Sequence, residues 1–459
     1  MRGAAASTRE EHDFLHRAFA FCAFTLLLTF DVTLESFKFG GLPVRAILSV
    51  GLLAAVVVIY PEQTRQALRK YMLLLGLAAG LAIEGVFVSA VNGTPIDTII
   101  QAVVEVHLQA AITVVAAVVL AQVCGARACV WGIILVIGAS ACVAVLQLLH
   151  LHQAWDLRRA LGPFAQEDLI PGEVDRRPMG LAFSPIQLAT QLCLAFAAYT
   201  AVRDKVRQPA SGKKTADPMV ILALMAFIAM CIATATRSPI LGGVLFFAVY
   251  AAQRRNGLIA LIVVVGGLFA ALAGPLLLEL IQSEAPRVVQ ADDNSVAARL
   301  VFVYYGSRLF LDNPLGYGLA FDPPSMWGNY WSDLYMMRAA QGAQIRDLHN
   351  FVLTMLNTYG IGILLLVPFA VKLLRRASAS LIFFIPYGVH IIFHNSGPFY
   401  NDTIIWFVVA AISAAQATRT FASPTRRVGV AAHPRFGLAQ ASYGRRAPVR
   451  PSGARLLPR

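Results

Sequence analysis

Apolar stretches long enough to cross a bilayer recur along this chain, separated for the most part by short polar connections. A transmembrane helix takes roughly 17 to 25 apolar residues to span about 30 Å of hydrocarbon. Stretches of that kind fall at 14–30, 42–60, 71–90, 103–123, 128–149, 183–202, 218–236, 238–253, 257–279, 349–371, 379–395 and 402–417. The pattern predicts an all-α, polytopic membrane protein of about twelve transmembrane helices. Two connections stand out by length, 150–182 and 280–348, the second a large outward loop between helices nine and ten. The two halves carry no convincing duplication, which weakens the inverted-repeat pattern frequent among secondary transporters.

Lysine and arginine near span ends are retained on the cytoplasmic side. Arg65, Arg69 and Lys70; Arg203, Lys205, Arg207, Lys213 and Lys214; Arg254 and Arg255; and Lys372, Arg375 and Arg376 all fall on one side if both termini are cytoplasmic. Segments 31–41, 91–102, 150–182, 280–348 and 394–402 then face outward. The leader MRGAAASTREEHDFLHR is mixed and polar rather than a short positive region before a cleavable apolar core, so the first span is expected to stay as an anchor.

Composition agrees with this class: 58% hydrophobic residues, 14% charged and a mean hydropathy of +0.65 exclude a soluble domain of this length. The formal net charge of +13 changes the picture only at the C-terminus. Residues 419–459 hold nine arginines and no acidic residue, leaving +4 for residues 1–418. The chain therefore divides into an integral membrane domain, 1–418, and a basic tail, 419–459. Rich in Pro, Gly, Ala and Ser, the tail is expected to be a disordered cytoplasmic segment touching anionic lipid rather than nucleic acid. The six cysteines lie in or beside apolar spans without metal-ligand spacing, which makes them packing residues.

Candidate chemistry gathers at the outward ends of spans. Arg237, in TATRSP, sits at the tip of a tight hairpin between two apolar stretches, where a charge is expensive unless partnered. Ser238 and Pro239 follow as a cap and first helical residue, so the next helix points its free N–H groups toward the same place. The combination reads as an anion pocket; the plainer reading is an interfacial arginine reaching to water. His349 opens the tenth span after Asp347, and a helix N-terminus disfavours imidazolium there. A neutral imidazole so placed suits a general base, or a group that orients an acceptor hydroxyl. His107, His150, His152, His390 and His394 map to the same face, so six of the nine histidines share it.

The loop 280–348 contains five arginines and no lysine, a bias that suits bidentate phosphate binding. Arg299 and Arg308 lie ahead of its NPLGYG turn. Its aromatic residues Trp327, Tyr330, Trp331 and Tyr335 fit either sugar faces or the membrane interface. Asp31 and Glu35, in the first outward loop, are a rival carboxylate pair for a catalytic base. No G-x-x-x-x-G-K-[ST] loop for a nucleotide is present.

Four features in order carry a family resemblance: Arg177, Gly180, Ser184 and Pro185 as R-x-x-G before a small-Pro pair; the T-R-S turn at Arg237; Arg299 ahead of NPLGYG; and His349-Asn350 opening a span that continues to Tyr359-Gly360. Over roughly residues 170 to 395, the chain resembles the O-antigen ligase and polysaccharide polymerase family of bacterial inner-membrane proteins. The resemblance implies transfer of a glycan from an undecaprenyl-diphosphate carrier to an acceptor at the periplasmic face, without metal, cofactor or nucleotide. The acceptor would be lipid A-core in a ligase and another lipid-linked repeat unit in a polymerase, with assembly of an exopolysaccharide slightly favoured. Other polysaccharide assembly proteins are further candidate partners. On this reading His349, Arg237 and Arg299 are catalytic, and Arg177, Arg308, Asn350 and Ser238 contact substrate. The rival class is a transporter or flippase of an anionic solute, which needs charges deep in the bilayer. Glu84, Glu105 and Arg45 lie instead toward span ends.

Overall fold

The computed structural model describes residues 2–34, 37–39, 42–164, 177–207, 217–254, 294–343 and 347–422. One compact unit comprises residues 1–418 and a second 419–459, of which 423–459 lie outside the described residues. The described chain is almost entirely helical. It runs α1 (Arg2–Thr33), α2 (Val44–Ile59), α3 (Pro61–Val91), α4 (Ile96–Ala102), a π-helical turn (Val103–Leu108), α5 (Gln109–Cys124), α6 (Ala126–Leu148), α7 (His152–Arg159), α8 (Pro185–Arg207), α9 (Pro218–Ala233) and α10 (Arg237–Arg254). After residues 255–293, outside the described set, follow α11 (Asn294–Asp312) and a few single turns of helix. The rest is α12 (Phe351–Tyr359), a 3₁₀ stretch (Gly360–Leu366), α13 (Val367–Leu381), a short 3₁₀ turn, α14 (Ile385–Ile392) and α15 (Ile404–Ala422). A two-residue ladder pairs Lys38–Phe39 with Leu42–Pro43 between α1 and α2.

Of the twelve expected spans, six coincide with helices long and apolar enough to cross a membrane: Asp13–Thr33, Pro61–Val91, Ile96–Cys124, Ala126–Leu148, Pro185–Val206 and Phe351–Ala377. Four others coincide with shorter apolar helices, Val44–Ile59, Pro218–Ala233, Ile382–Ile392 and Ile404–Ala417. Sixteen residues such as Val44–Ile59 rise only about 24 Å. The eighth expected span corresponds to α10, and the ninth, 257–279, lies outside the described residues.

Burial explains the layering. Helix α5 is buried on all sides through Ala116, Ala117, Val118, Val119, Leu120 and Ala121, the mark of a central helix. α1 lays Ala20, Phe24, Leu27 and Leu28 toward this core at helical spacing, and the Phe24 ring meets Phe407 of α15 edge-on at 5.2 Å. Peripheral helices instead expose large apolar side chains, Met72, Ile83 and Phe87 on α3 and Trp131 and Leu135 on α6, as lipid-facing surfaces do.

The loop before α12 has a core of its own, formed by Val301, Phe302, Tyr305 and Leu309 of α11 with Trp327, Leu334 and Leu348. This corrects part of the aromatic expectation. Trp327 is buried against Tyr305 at a ring distance of 4.8 Å, and Tyr330 donates to Asp312, while Trp331 and Tyr335 remain exposed. The NPLGYG turn docks this unit on the bundle: Tyr317 N donates to Asn357 O (2.7 Å), Gly318 N to Thr358 O (3.0 Å), and Ile361 N to Pro314 O (2.8 Å). The end of α3 joins it, with Asn92 Nδ2 donating to Gly316 O at 3.0 Å.

Candidate active site

The turn between α9 and α10 is built around Arg177. Its Nε and Nη2 donate to Thr234 O (3.1 and 2.9 Å), and Nη2 also reaches Ala235 O (2.9 Å) and Thr236 Oγ1 (2.8 Å). Ala235 takes a left-handed φ of 49°, which turns the chain so that Arg237 becomes the first residue of α10. Two residues after Arg177, Met179 N and then Gly180 N donate to Gln147 Oε1 (2.9 and 2.8 Å). The R-x-x-G motif is thereby explained as a strap: one end holds α6 and the other holds the turn that presents Arg237.

Ser238 is committed to His390. The Ser238 Oγ to His390 Nδ1 distance is 2.9 Å, and His390 Nε2 lies 3.2 Å from Ile186 O and 3.0 Å from Thr190 Oγ1. A carbonyl only accepts, so Nε2 carries the proton and Nδ1 accepts from the Ser238 hydroxyl. This ties α10, α14 and α8 together in a buried contact. His390 and His394 stand one helical turn apart with ring centroids at 5.5 Å.

Between them, Phe393 lies under Arg299, whose guanidinium carbon is 5.1 Å from the ring centroid. Three residues further along the same face of α11, Phe302 meets the His349 ring edge-on at 5.3 Å. His349 itself holds a left-handed φ of 45°, a conformation uncommon outside glycine though histidine adopts it more readily than most residues. That conformation allows Asn350 to stand extended as the N-cap of α12, its Oδ1 accepting from Leu353 N at 3.0 Å. Asn395 closes the group: its backbone N donates to His394 Nδ1 (2.9 Å) and its Nδ2 to Asp347 Oδ2 (2.7 Å).

Asp347 reaches solvent at the rim but is ringed by protein. That desolvation, with the Asp322 charge adding to it, raises its carboxyl above the usual aspartate range, while the Asn395 bond pulls the other way. Nearby Tyr400 is pushed up to about 12 by burial and by Asp347, so it remains a neutral phenol.

Thus the fold brings Ser238, Arg299 and His349 together around His390, Phe393 and His394, with Arg237 adjacent to Ser238 and half-buried. Arg308 is not brought there. It follows Arg299 by nine residues, about two and a half turns, and so points the opposite way, pairing with Asp333 at 3.6 Å on an exposed surface. Asn350 is occupied as a cap and Arg177 as a strap. Among the six histidines expected on one face, His349, His390 and His394 converge, His107 bonds Tyr359 elsewhere, and His150 and His152 are exposed. Asp31 is buried in another contact and Glu35 lies outside the described residues. Sequence reasoning missed Phe393, Asn395 and the use of Asp347. Only the four-residue spacing of His390 and His394 hinted at that corner. Among the described residues no three His, Cys, Asp or Glu groups are arranged to hold a metal.

Residues 221–368 match a protein-family model described as O-antigen ligase. Over that segment, about a third of the chain, the protein is similar to the O-antigen ligase family. The matched ligase segment includes Arg237, Ser238, Arg299, His349 and Asn350, whereas Arg177, His390 and His394 come from outside it. Six helices are long and apolar enough to cross a membrane, which suits a multi-pass membrane protein, and the matched segment supports a role in polysaccharide ligation or polymerisation. No curated protein and no solved structure matches it.

Proposed function

We propose that this protein transfers a glycan from undecaprenyl diphosphate to an acceptor sugar hydroxyl at the periplasmic face of the bacterial inner membrane. The reading is carried by one observation: Arg299 and His349, with Arg237 beside Ser238, come from distant parts of the chain to one end of the bundle. The acceptor oxygen attacks the anomeric carbon, the bond from that carbon to the diphosphate breaks, and the diphosphate leaves with the electron pair. His349 takes or directs the acceptor proton. Arg237 and Arg299 face the negative charge that builds on the leaving group, where fixed cations contribute most. No step in this scheme calls on a metal.

Cells lacking the protein test the reading, with His349→Ala as the matched variant and lipid-linked and surface glycans profiled by gel and mass spectrometry. Single repeat units accumulating on the carrier identify a polymerase, the outcome favoured here. Long polymer left on the carrier with bare lipid A-core identifies a ligase. An unchanged profile rejects transfer and favours transport of an anionic solute. Arg237→Lys is expected to lose most activity, because an ammonium cannot reproduce the bidentate fork. Full turnover in the Arg237→Ala, His349→Ala double variant would sink the mechanism.

A further inference from the structure

Phe393, Asn395 and Gly397, which follow α14, touch parts of the candidate site that lie far apart in the chain. The Phe393 ring carries the Arg299 guanidinium, whose carbon is 5.1 Å from the ring centroid. Asn395 Nδ2 donates to Asp347 Oδ2 at 2.7 Å, while its backbone N is anchored on the His394 ring. Gly397 lies so close to Phe351 that a Cβ there would come within 2.6 Å of the ring. Asp347 and Phe351 stand two residues before and two after His349. One short segment thus holds the Arg299 side chain and both flanks of the turn that carries the imidazole.

That turn needs holding. His349 takes a φ of 45° and Asn350 is extended, so the backbone changes hand within two residues. Such conformations persist only where the surroundings over-determine them. On one side Leu348 is buried in the core of the loop unit, against Gly306 of α11. On the other side stand Gly397 and Asn395. Gly397 limits how closely the chains approach, whereas the Asn395 hydrogen bond has a direction and grips the residue from which the turn departs. At an exposed rim a single bond of this kind contributes little to folding. Its place beside both the imidazole and the guanidinium points to alignment instead.

We propose that Asn395 is a positioning residue for glycan transfer: through Asp347 it sets where the His349 imidazole stands relative to the Arg299 guanidinium. The acceptor proton is then taken at a fixed separation from the place where negative charge builds on the diphosphate. Rates fall steeply when reacting groups are displaced by about 1 Å. Asn395 itself touches neither donor nor acceptor. The proposal rests on the glycan-transfer reading given above and extends it to the residue that aligns the base with the cation.

The probe is the total lipid extract of cells lacking the protein, which supplies lipid-linked donor and unmodified acceptor together. It is titrated against the detergent-purified full chain at pH 8, with thermal unfolding as the check on folding. Asn395→Leu removes the donor and nearly keeps the shape. It should lower kcat by about tenfold or more, with KM and unfolding temperature near wild type. Asn395→Asp sets two carboxylates against each other and should lower kcat at least as far. Adding Asp347→Asn to Asn395→Asp reverses donor and acceptor, re-forms the bond and should return kcat to within about threefold of wild type. Wild-type kcat in a folded Asn395→Leu would overturn the proposal. So would a rise in KM alone, which would make Asn395 a substrate contact, and so would an exchanged pair no faster than Asn395→Asp. If Asn395→Leu does not fold, the comparison of Asn395→Asp with the exchanged pair decides. Absence of transfer by wild type would remove the glycan-transfer reading and the proposal with it, whereas transfer that is indifferent to Asn395 removes the positioning role alone.

Discussion

Arg177 gives its guanidinium to three acceptors of a single turn, a task that one ammonium cannot repeat. Since the next residue after that turn is Arg237, Arg177→Lys is expected to displace Arg237 without removing any charge. Misplacement of about 1 Å can lower a rate on the order of a hundredfold. Kinetics with lipid-linked donor should therefore show a fall in kcat of at least about tenfold with KM little changed. A rise in KM alone would indicate that Arg177 touches substrate. Asp347 supports a prediction of a different kind. Its carboxyl is raised in the folded protein, so the stability it contributes is fully present below about pH 4 and is lost as pH rises through the elevated value. Asp347→Asn keeps an oxygen for Asn395 and has no such loss. Its Tm relative to wild type should rise across that window. Arg237, Arg299 and His349 stood out in the sequence as candidates because a charge or imidazole at the end of an apolar run needs a reason to be there. The Asn395 to Asp347 bond was not, because it joins residues 48 apart through packing that no local pattern records.

At the scale of the elements, six of the twelve expected spans return as helices long and apolar enough to cross a membrane, since hydrophobic length is what the bilayer selects. Their interruptions were not. The π turn at Val103–Leu108 and the 3₁₀ stretch at Gly360–Leu366 consist of ordinary span residues, and only tertiary contacts displace their hydrogen bonds. Gly360 is where this matters for stability. It holds a φ of 65°, and a Cβ there would fall on the Leu315 carbonyl of the docked NPLGYG unit. Gly93 has nearly the same backbone, φ 71°, but nothing within 4 Å of its Cβ position. Gly93→Ala should cost about 1–2 kcal/mol from backbone conformation alone. Gly360→Ala should cost clearly more and loosen the loop unit, visible as a larger fall in Tm and as earlier proteolysis between residues 313 and 318.

Across the whole molecule, the ends of α1, α3, α9 and α14 and the starts of α2, α10, α12 and α15 gather at one end, which is where the candidate site lies. The opposite end collects ion pairs, Arg203 with Asp217 and Arg254 with Asp204. If the site end is periplasmic, alkaline phosphatase fused after Gly93 should be active and a fusion after Tyr60 inactive. The reverse pattern would invert the topology. The 3₁₀ stretch has one more effect. A 3₁₀ helix climbs about 2.0 Å per residue against about 1.5 Å for an α-helix, so seven residues gain roughly 3.5 Å. Measured from its basic end at Lys372, Arg375 and Arg376, the span that opens at His349 is taller by that amount than its residue count suggests. If that basic end is cytoplasmic, the imidazole is lifted by the same amount toward the outer headgroup layer, where the proposed carrier lipid would hold its diphosphate.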